Sequence, residues 1–357
     1  MSLGSVNNWR IAAALLGSGL LAACGQGPES MMTDYAERIS RITEQPVVLP
    51  PVSGAVYPRA RARSLPIPEV RARLFDLTDF ERCNLTQLIA ERNSIMGRYW
   101  PATQQLDYEY RFSHRLKACQ TWLNQQGELD EKDRTLRAQV DALMLSKDQA
   151  RPLAWWAASW ASDEFARYFS ASAAMPPLDA TAPVTAFAPL ASLIEGFAAP
   201  PDGIDLGELE AALQILRTDR YGGGWIKAVQ HMTATLTASG AALDATDTAR
   251  LCPQGSPTPR AGIFETVFYR YYAEALQPYL AALHQQGQAQ YQALVPLLEA
   301  VPPEAPAAFT RYAQRHLTQG PDSLWAEMAT AREQHTLAWQ RILRACGLMP
   351  DGARPSP

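Results

Sequence analysis

The sequence predicts an all-α protein, a multi-helix bundle built from helical hairpins. Two observations predict it. Apolar residues recur at three- and four-residue steps through most of the chain, and no segment alternates in the manner of a strand. Glycine and proline punctuate the periodic segments as helix stops and starts, as in Gly97 with Pro101 and in Gly320-Pro321-Asp322. Composition sets the outer bounds. The 357 residues are 47% hydrophobic and 19% charged, which excludes a disordered or fibrous chain. A net charge of −4 argues against a nucleic-acid partner, which would need a basic surface. No apolar run reaches 18 residues, so no spanning helix is expected.

Residues 1–23 read as a signal peptide. A polar start with Arg10 precedes the apolar run 11–23, which is too short to cross a bilayer. The run ends Leu21-Ala22-Ala23-Cys24, followed by Gly25. This tetrapeptide resembles the lipobox of bacterial lipoproteins. The resemblance implies cleavage before Cys24, a diacylglycerol on its sulfur and an acyl chain on its amine. Two or more acyl chains hold a protein stably on a bilayer. Gly25 replaces the Asp that retains such lipoproteins in the inner membrane, so the implied address is the periplasmic leaflet of the outer membrane.

Residues 24–66 are expected to form a lipid-anchored N-terminal helix, over 30–44, and an extended linker. Five prolines between 46 and 66 prevent a helix there. Residues 67–175 are expected to form a helical hairpin subdomain. Ile67, Val70, Leu74, Leu77, Asn84 and Leu88 fall on one stripe of a helix over 67–96, and Phe112, Leu116, Cys119 and Leu123 mark a second. Helical periodicity continues over 130–170, with a break expected at Pro152. Residues 176–201 hold six prolines and read as a junction. The C-terminal helical subdomain, 202–357, carries patterns at 205–217, 224–239, 261–285, 288–300, 304–318 and 322–346. Asp205 with Glu208 suits a helix N-cap. Two subdomains and one continuous helical body both fit this pattern.

Apart from Cys24, the cysteines are Cys83, Cys119, Cys252 and Cys346. Two antiparallel helices turning near residue 101 would oppose positions equidistant from it, and Cys83 and Cys119 are such a pair. Cys252 and Cys346 then remain for a second bridge that ties down the last helix. Each bridge closes more than 30 residues and should contribute a few kcal/mol by the loop-entropy model. Metal binding lacks close Cys spacing and a His partner, so no metal is expected.

The segment Tyr57-Pro58-Arg59-Ala60-Arg61-Ala62-Arg63-Ser64-Leu65-Pro66, then Cys83, Leu88-Ile89-Ala90-Glu91-Arg92-Asn93-Ser94, Tyr108-Glu109, Cys119, Gln277-Pro278-Tyr279, and the ending Trp339-Gln340 to Cys346-Gly347 form a recognisable set. Together they resemble the domain of unknown function 3080, an uncharacterised family of gammaproteobacterial lipoproteins. The resemblance covers most of the mature chain. It implies a periplasm-facing lipoprotein and no known activity.

Chemistry-bearing groups are sparse. The five histidines form no ligand pair, and His335 falls on an apolar stripe where a satisfied core histidine is expected. No nucleophile elbow is present. Tyr221-Gly222-Gly223-Gly224-Trp225 lacks the Lys and Ser/Thr of a phosphate loop and reads as a flexible turn. Arg59, Arg61 and Arg63, with Arg71 and Arg73 behind them, suit an anion through bidentate hydrogen bonds, or else pair with Asp76, Asp79 and Glu81. Glu91, Arg92 and Asn93 should meet Tyr108 and Glu109 in a polar network, with Arg92 and Glu109 as an ion pair. Trp155, Trp156 and Trp160 should fill the core.

The function expected is that of a non-enzymatic interaction or scaffold protein anchored to the outer membrane. A carrier of apolar or amphiphilic ligands is one alternative. An envelope glycan hydrolase, with paired carboxylates about 5–9.5 Å apart, is another. No cofactor is expected beyond the covalent lipid on Cys24. The expected partners are the membrane and an envelope protein, lipid or glycan.

Overall fold

A computed structural model describes residues 27–68 and 80–349. The described residues are 71% helical and contain no strand. Cys24, the signal peptide and residues 69–79 lie outside the described part, and with them Arg71, Arg73, Asp76 and Asp79.

Helix α1 (Pro28–Thr43) starts with proline in its first turn, where the missing N–H costs nothing. It buries Met32, Tyr35, Ala36 and Ile39 on one face. Its main neighbour is α8 (Tyr221–Asp244), which also carries the last helix, α13 (Leu324–Ala345). These three helices form the centre of the body. Gly240 of α8 lies against α13 at His335, where an added Cβ would make an ordinary contact, 3.4 Å from the His335 Cα.

The helix expected over 67–96 is interrupted. Residues 67–68 are not helical, Glu81–Cys83 is a single 3-10 turn, and Asn84 sits at φ 54°. A left-handed residue stops a helix, and among the described residues of that span the α-helix is α2 (Thr86–Asn93); residues 69–79 of the expected helix lie outside the described part. The main hairpin is instead α3 (Ala102–Gln125) against α4 (Glu131–Ala158). The chain before α3 still doubles back along it, so positions equidistant from residue 101 do meet. Cys83 bridges Cys119 with a Cα–Cα distance of 5.0 Å, and Cys252 bridges Cys346 at 5.2 Å. Both separations suit a disulfide.

Pro152 does not break α4, which runs through it to Ala158; the break comes at Ser159. Beyond it lie α5 (Asp163–Tyr168), α6 (Ala188–Glu195) and α7 (Leu206–Thr218). Asp205 caps α7 as expected, accepting from the Glu208 N–H at 2.9 Å. The Pro-rich stretch 176–201 carries buried side chains of its own, with Phe187 and Leu190 almost fully enclosed.

Tyr221 to Trp225 is not a flexible turn but the first turn of α8. An added Cβ on Gly223 would lie 2.1 Å from the Ser170 carbonyl oxygen, and one on Gly224 would lie 2.2 Å from that of Ala174. The glycines let the helix press on the backbone of 170–174.

After the short α9 (Thr248–Leu251), α10 (Pro259–Val267), a π-helical stretch (Phe268–Leu276) and α11 (Gln277–Glu299) follow one another without a break. The interruption expected near Gly287 is absent. An added Cβ there would lie 2.2 Å from the Trp225 ring, so the glycine admits an indole. Helix α12 (Ala307–His316) leads to α13.

Two buried apolar clusters result. The larger draws on residues from Met32 to Cys346 and includes Tyr57 of the extended segment. The smaller lies between Phe80 and Leu143, around the first disulfide. Trp155, Trp156 and Trp160 are fully buried in the larger one. Each indole N–H finds a carbonyl on a different segment: Leu190 at 2.9 Å, Arg63 at 2.7 Å and Leu297 at 3.0 Å. A buried indole needs such an acceptor, and here the three acceptors draw three separate segments onto the end of α4 and the turn that follows it.

Candidate functional site

The arginine trio divides. Arg63 is buried and its guanidinium is spent within the fold. It donates to the carbonyls of Ala161 (2.8 Å) and Pro58 (2.9 Å) and to Asp163 (2.6 Å). The expectation that Arg63 faces an outside anion is therefore corrected, because its guanidinium holds the linker to Ala161 and Asp163 at the α4–α5 turn. Arg59 and Arg61 stay exposed around a 3-10 turn at Ala60–Ala62.

The polar residues of α2 and α3 also divide. Glu91 pairs with Arg111 at 2.8 Å, and Arg111 reaches back to Asp107 at 3.4 Å. The expected Arg92–Glu109 ion pair is replaced. Glu109 meets Lys147 of α4 at 2.9 Å, with side chains only 3% and 4% exposed. The Lys147 ammonium also lies 4.9 Å from the Tyr108 ring and 4.6 Å from that of Phe112. A buried carboxylate needs a paired cation, and α4 supplies it from 38 residues on. Arg92 donates to the Gly97 carbonyl and stands 5.8 Å over the Trp100 ring. Asn93 is exposed. Burial raises the Tyr108 hydroxyl well above its ordinary range, with Glu109 adding to the effect.

His335 is fully buried, as the apolar stripe implied. Trp339 Nε1–H donates to the Tyr35 hydroxyl (2.9 Å), which in turn lies 2.7 Å from His335 Nε2. The indole is a donor only, so the phenol proton is free to go to His335. That leaves the histidine neutral, with its proton on Nδ1, which has no partner. Burial pushes its pKa down to about 3. The contact joins α1 to α13.

Two concavities were not legible in the sequence. One is an open cleft of about 700 Å³ above the Cys83–Cys119 bridge, with His114, Arg115, Trp122 and Asp202 on its walls. Its polar groups largely satisfy one another: Arg115 donates to the Asn84 carbonyl at 2.9 Å, and His114 Nδ1 lies 2.9 Å from that of Pro200. The other is a groove of about 390 Å³ between α1 and α10. Ile42, Ile263 and Val267 line it between Arg38, Arg41 and Arg260. Arg38 lies 3.6 Å over the Tyr271 ring and 2.8 Å from Asp34, while Arg260 meets Glu44 at 3.0 Å. Apolar walls between guanidiniums suit an amphiphile with an anionic head. Only the pairing of α1 with α10 assembles this groove, and no local spacing announces it.

Among the described residues, no group of three or more His, Cys, Asp or Glu is placed to hold a metal ion, and no helix is long and apolar enough to cross a membrane.

Fold and surfaces together define an α-helical body, stapled by two disulfides and offering shallow surface clefts. The chain belongs to the family of proteins of unknown function DUF3080, whose model matches residues 32–350. No curated protein and no solved structure matches it.

Proposed function

We propose that this protein is a lipoprotein acylated at Cys24, held in the periplasmic leaflet of the outer membrane, and that it works there as a non-enzymatic interaction or scaffold protein. The observation that carries the reading is the Leu21-Ala22-Ala23-Cys24 sequence behind a short apolar run. Two features support it. Helix α1 begins at Pro28, so the tether to the lipid would be a few residues long. Both disulfides suit an oxidising compartment. The polar side chains gathered at α2–α4 are engaged with one another, which suits a body that holds its shape and presents a surface.

Metabolic labelling with palmitate tests the anchor. The wild-type product should carry label and float with outer-membrane vesicles, and Cys24→Ser should lose both. An unlabelled wild-type product would overturn the reading.

A second reading is favoured by the α1–α10 groove, whose apolar lining and arginine rim fit an amphiphile carrier. Native mass spectrometry after mild extraction separates the two. A co-purifying protein supports the scaffold, and a bound lipid lost on Ile263→Asp supports the carrier.

A further inference from the structure

The turn between α2 and α3 holds three large apolar side chains in water. Ile95 is 79% exposed, Met96 75% and Tyr99 82%. This is not a loose loop. Gly97 is buried in the turn, where an added Cβ would lie 2.3 Å from the Glu91 carbonyl oxygen and 2.5 Å from that of Arg92. The Gly97 N–H donates to Ser94 Oγ at 2.9 Å, Ser94 Oγ donates to the Glu91 carbonyl at 2.7 Å, and Arg92 donates to the Gly97 carbonyl. Trp100, half-buried against the smaller core cluster, pins the far end. The fold thus fixes an apolar tip outward. Exposed singly such residues mean little, but three together on a rigid tip mark a contact.

Charge and shape decide what the tip meets. Between Ser94 and Leu106 there is no acidic residue, and Arg98 is exposed without an ion pair among the described residues. A patch of three exposed side chains falls far short of the roughly 800 Å² per partner that a stable protein interface needs. It does suit the interfacial layer of a bilayer. There a tyrosine sits at headgroup depth, aliphatic chains reach the acyl boundary, and an arginine meets anionic headgroups.

We propose that Ile95, Met96 and Tyr99 form a wedge that seats in an anionic bilayer surface, with Arg98 on the headgroups. This builds on the membrane-bound reading above and gives the body a second point of attachment that orients it on the membrane.

The test uses the chain from residue 24 with Cys24→Ser, exported so that its disulfides form. It is sedimented with phosphatidylethanolamine–phosphatidylglycerol vesicles at low salt. We expect measurable partitioning that falls about tenfold for each of Ile95→Ser and Met96→Ser, falls several-fold for Arg98→Ala, and is unchanged in Arg59→Ala/Arg61→Ala. Brominated lipids should quench the fluorescence, and Trp100→Phe should abolish that quenching. The serine variants should keep the wild-type unfolding midpoint, since both positions are exposed. Absence of partitioning, or partitioning that follows Arg59 and Arg61 instead, overturns the proposal. Because this chain carries no lipid, the outcome is independent of whether wild-type Cys24 is acylated, which the palmitate label decides.

Discussion

Lowering the pH from 7 to 5 should weaken this protein, and a defined part of that loss is traceable to one fully buried side chain, His335. His335 titrates near 6.5 when unfolded and is pushed down to about 3 by burial in the folded chain. Between those values the unfolded state binds the proton and the folded state does not. Stability from this group is therefore present above pH 6.5 and is lost as pH falls toward 3. At pH 5 the loss relative to pH 7 is about 2 kcal/mol, from 1.36 kcal/mol per unit. The geometry explains why the folded state refuses the proton. Tyr35 already accepts from Trp339 and gives its own proton to His335 Nε2, so a protonated ring would leave the phenol proton without an acceptor. The assay is urea unfolding of wild type and His335→Gln at both pH values. Glutamine does not titrate and keeps an acceptor for Tyr35. Carboxylate effects are common to both chains, so the wild type should lose about 2 kcal/mol more than the variant between pH 7 and pH 5. Equal losses in the two proteins would refute the reasoning.

Gly223→Ala should lower stability by at least 1–3 kcal/mol, read in a thermal melt, because its Cβ would fall within 2.1 Å of the Ser170 carbonyl oxygen. Glu109→Gln should cost about 3–5 kcal/mol by stranding the buried Lys147, while Glu109→Met with Lys147→Met should restore most of it; denaturant titrations of the three variants check this. Replacing both Cys252 and Cys346 by serine should cost about 4–5 kcal/mol, given the 94-residue separation, and the same change at Cys83 and Cys119 slightly less for a separation of 36. Unfolding under oxidising and reducing conditions measures both.

Local pattern carried the helical class, the α7 cap and the Cys83–Cys119 pairing, because each depends on spacing within a short reach or on the chain reversing once near residue 101; the Cys252–Cys346 pairing then followed by elimination. What it missed depends on partners far along the chain. Lys147 lies a whole helix beyond Glu109, and Arg63 is drawn inward by the Ala161 carbonyl and the Asp163 carboxylate about 100 residues away. Gly222 to Gly224 suggested a turn because glycine is a poor helix former. Close contact with the 170–174 backbone overrides that preference. Asn84 looked like one more position on a helical stripe, yet its backbone adopts the left-handed conformation that stops the helix. The α1–α10 groove had no signal at all, since its walls come from segments about 220 residues apart.

The bond from Tyr35 to His335 and Trp339 spans about 300 residues. However the polypeptide is delivered, its amino end arrives first and must wait for nearly all the rest before this clasp can close. Assembly of the centre is therefore a late event. A chain cut short before Leu324 would leave Tyr35 without His335 and Trp339 and would open to water the face of α8 that α13 covers, giving a sticky and protease-sensitive product rather than a smaller working one.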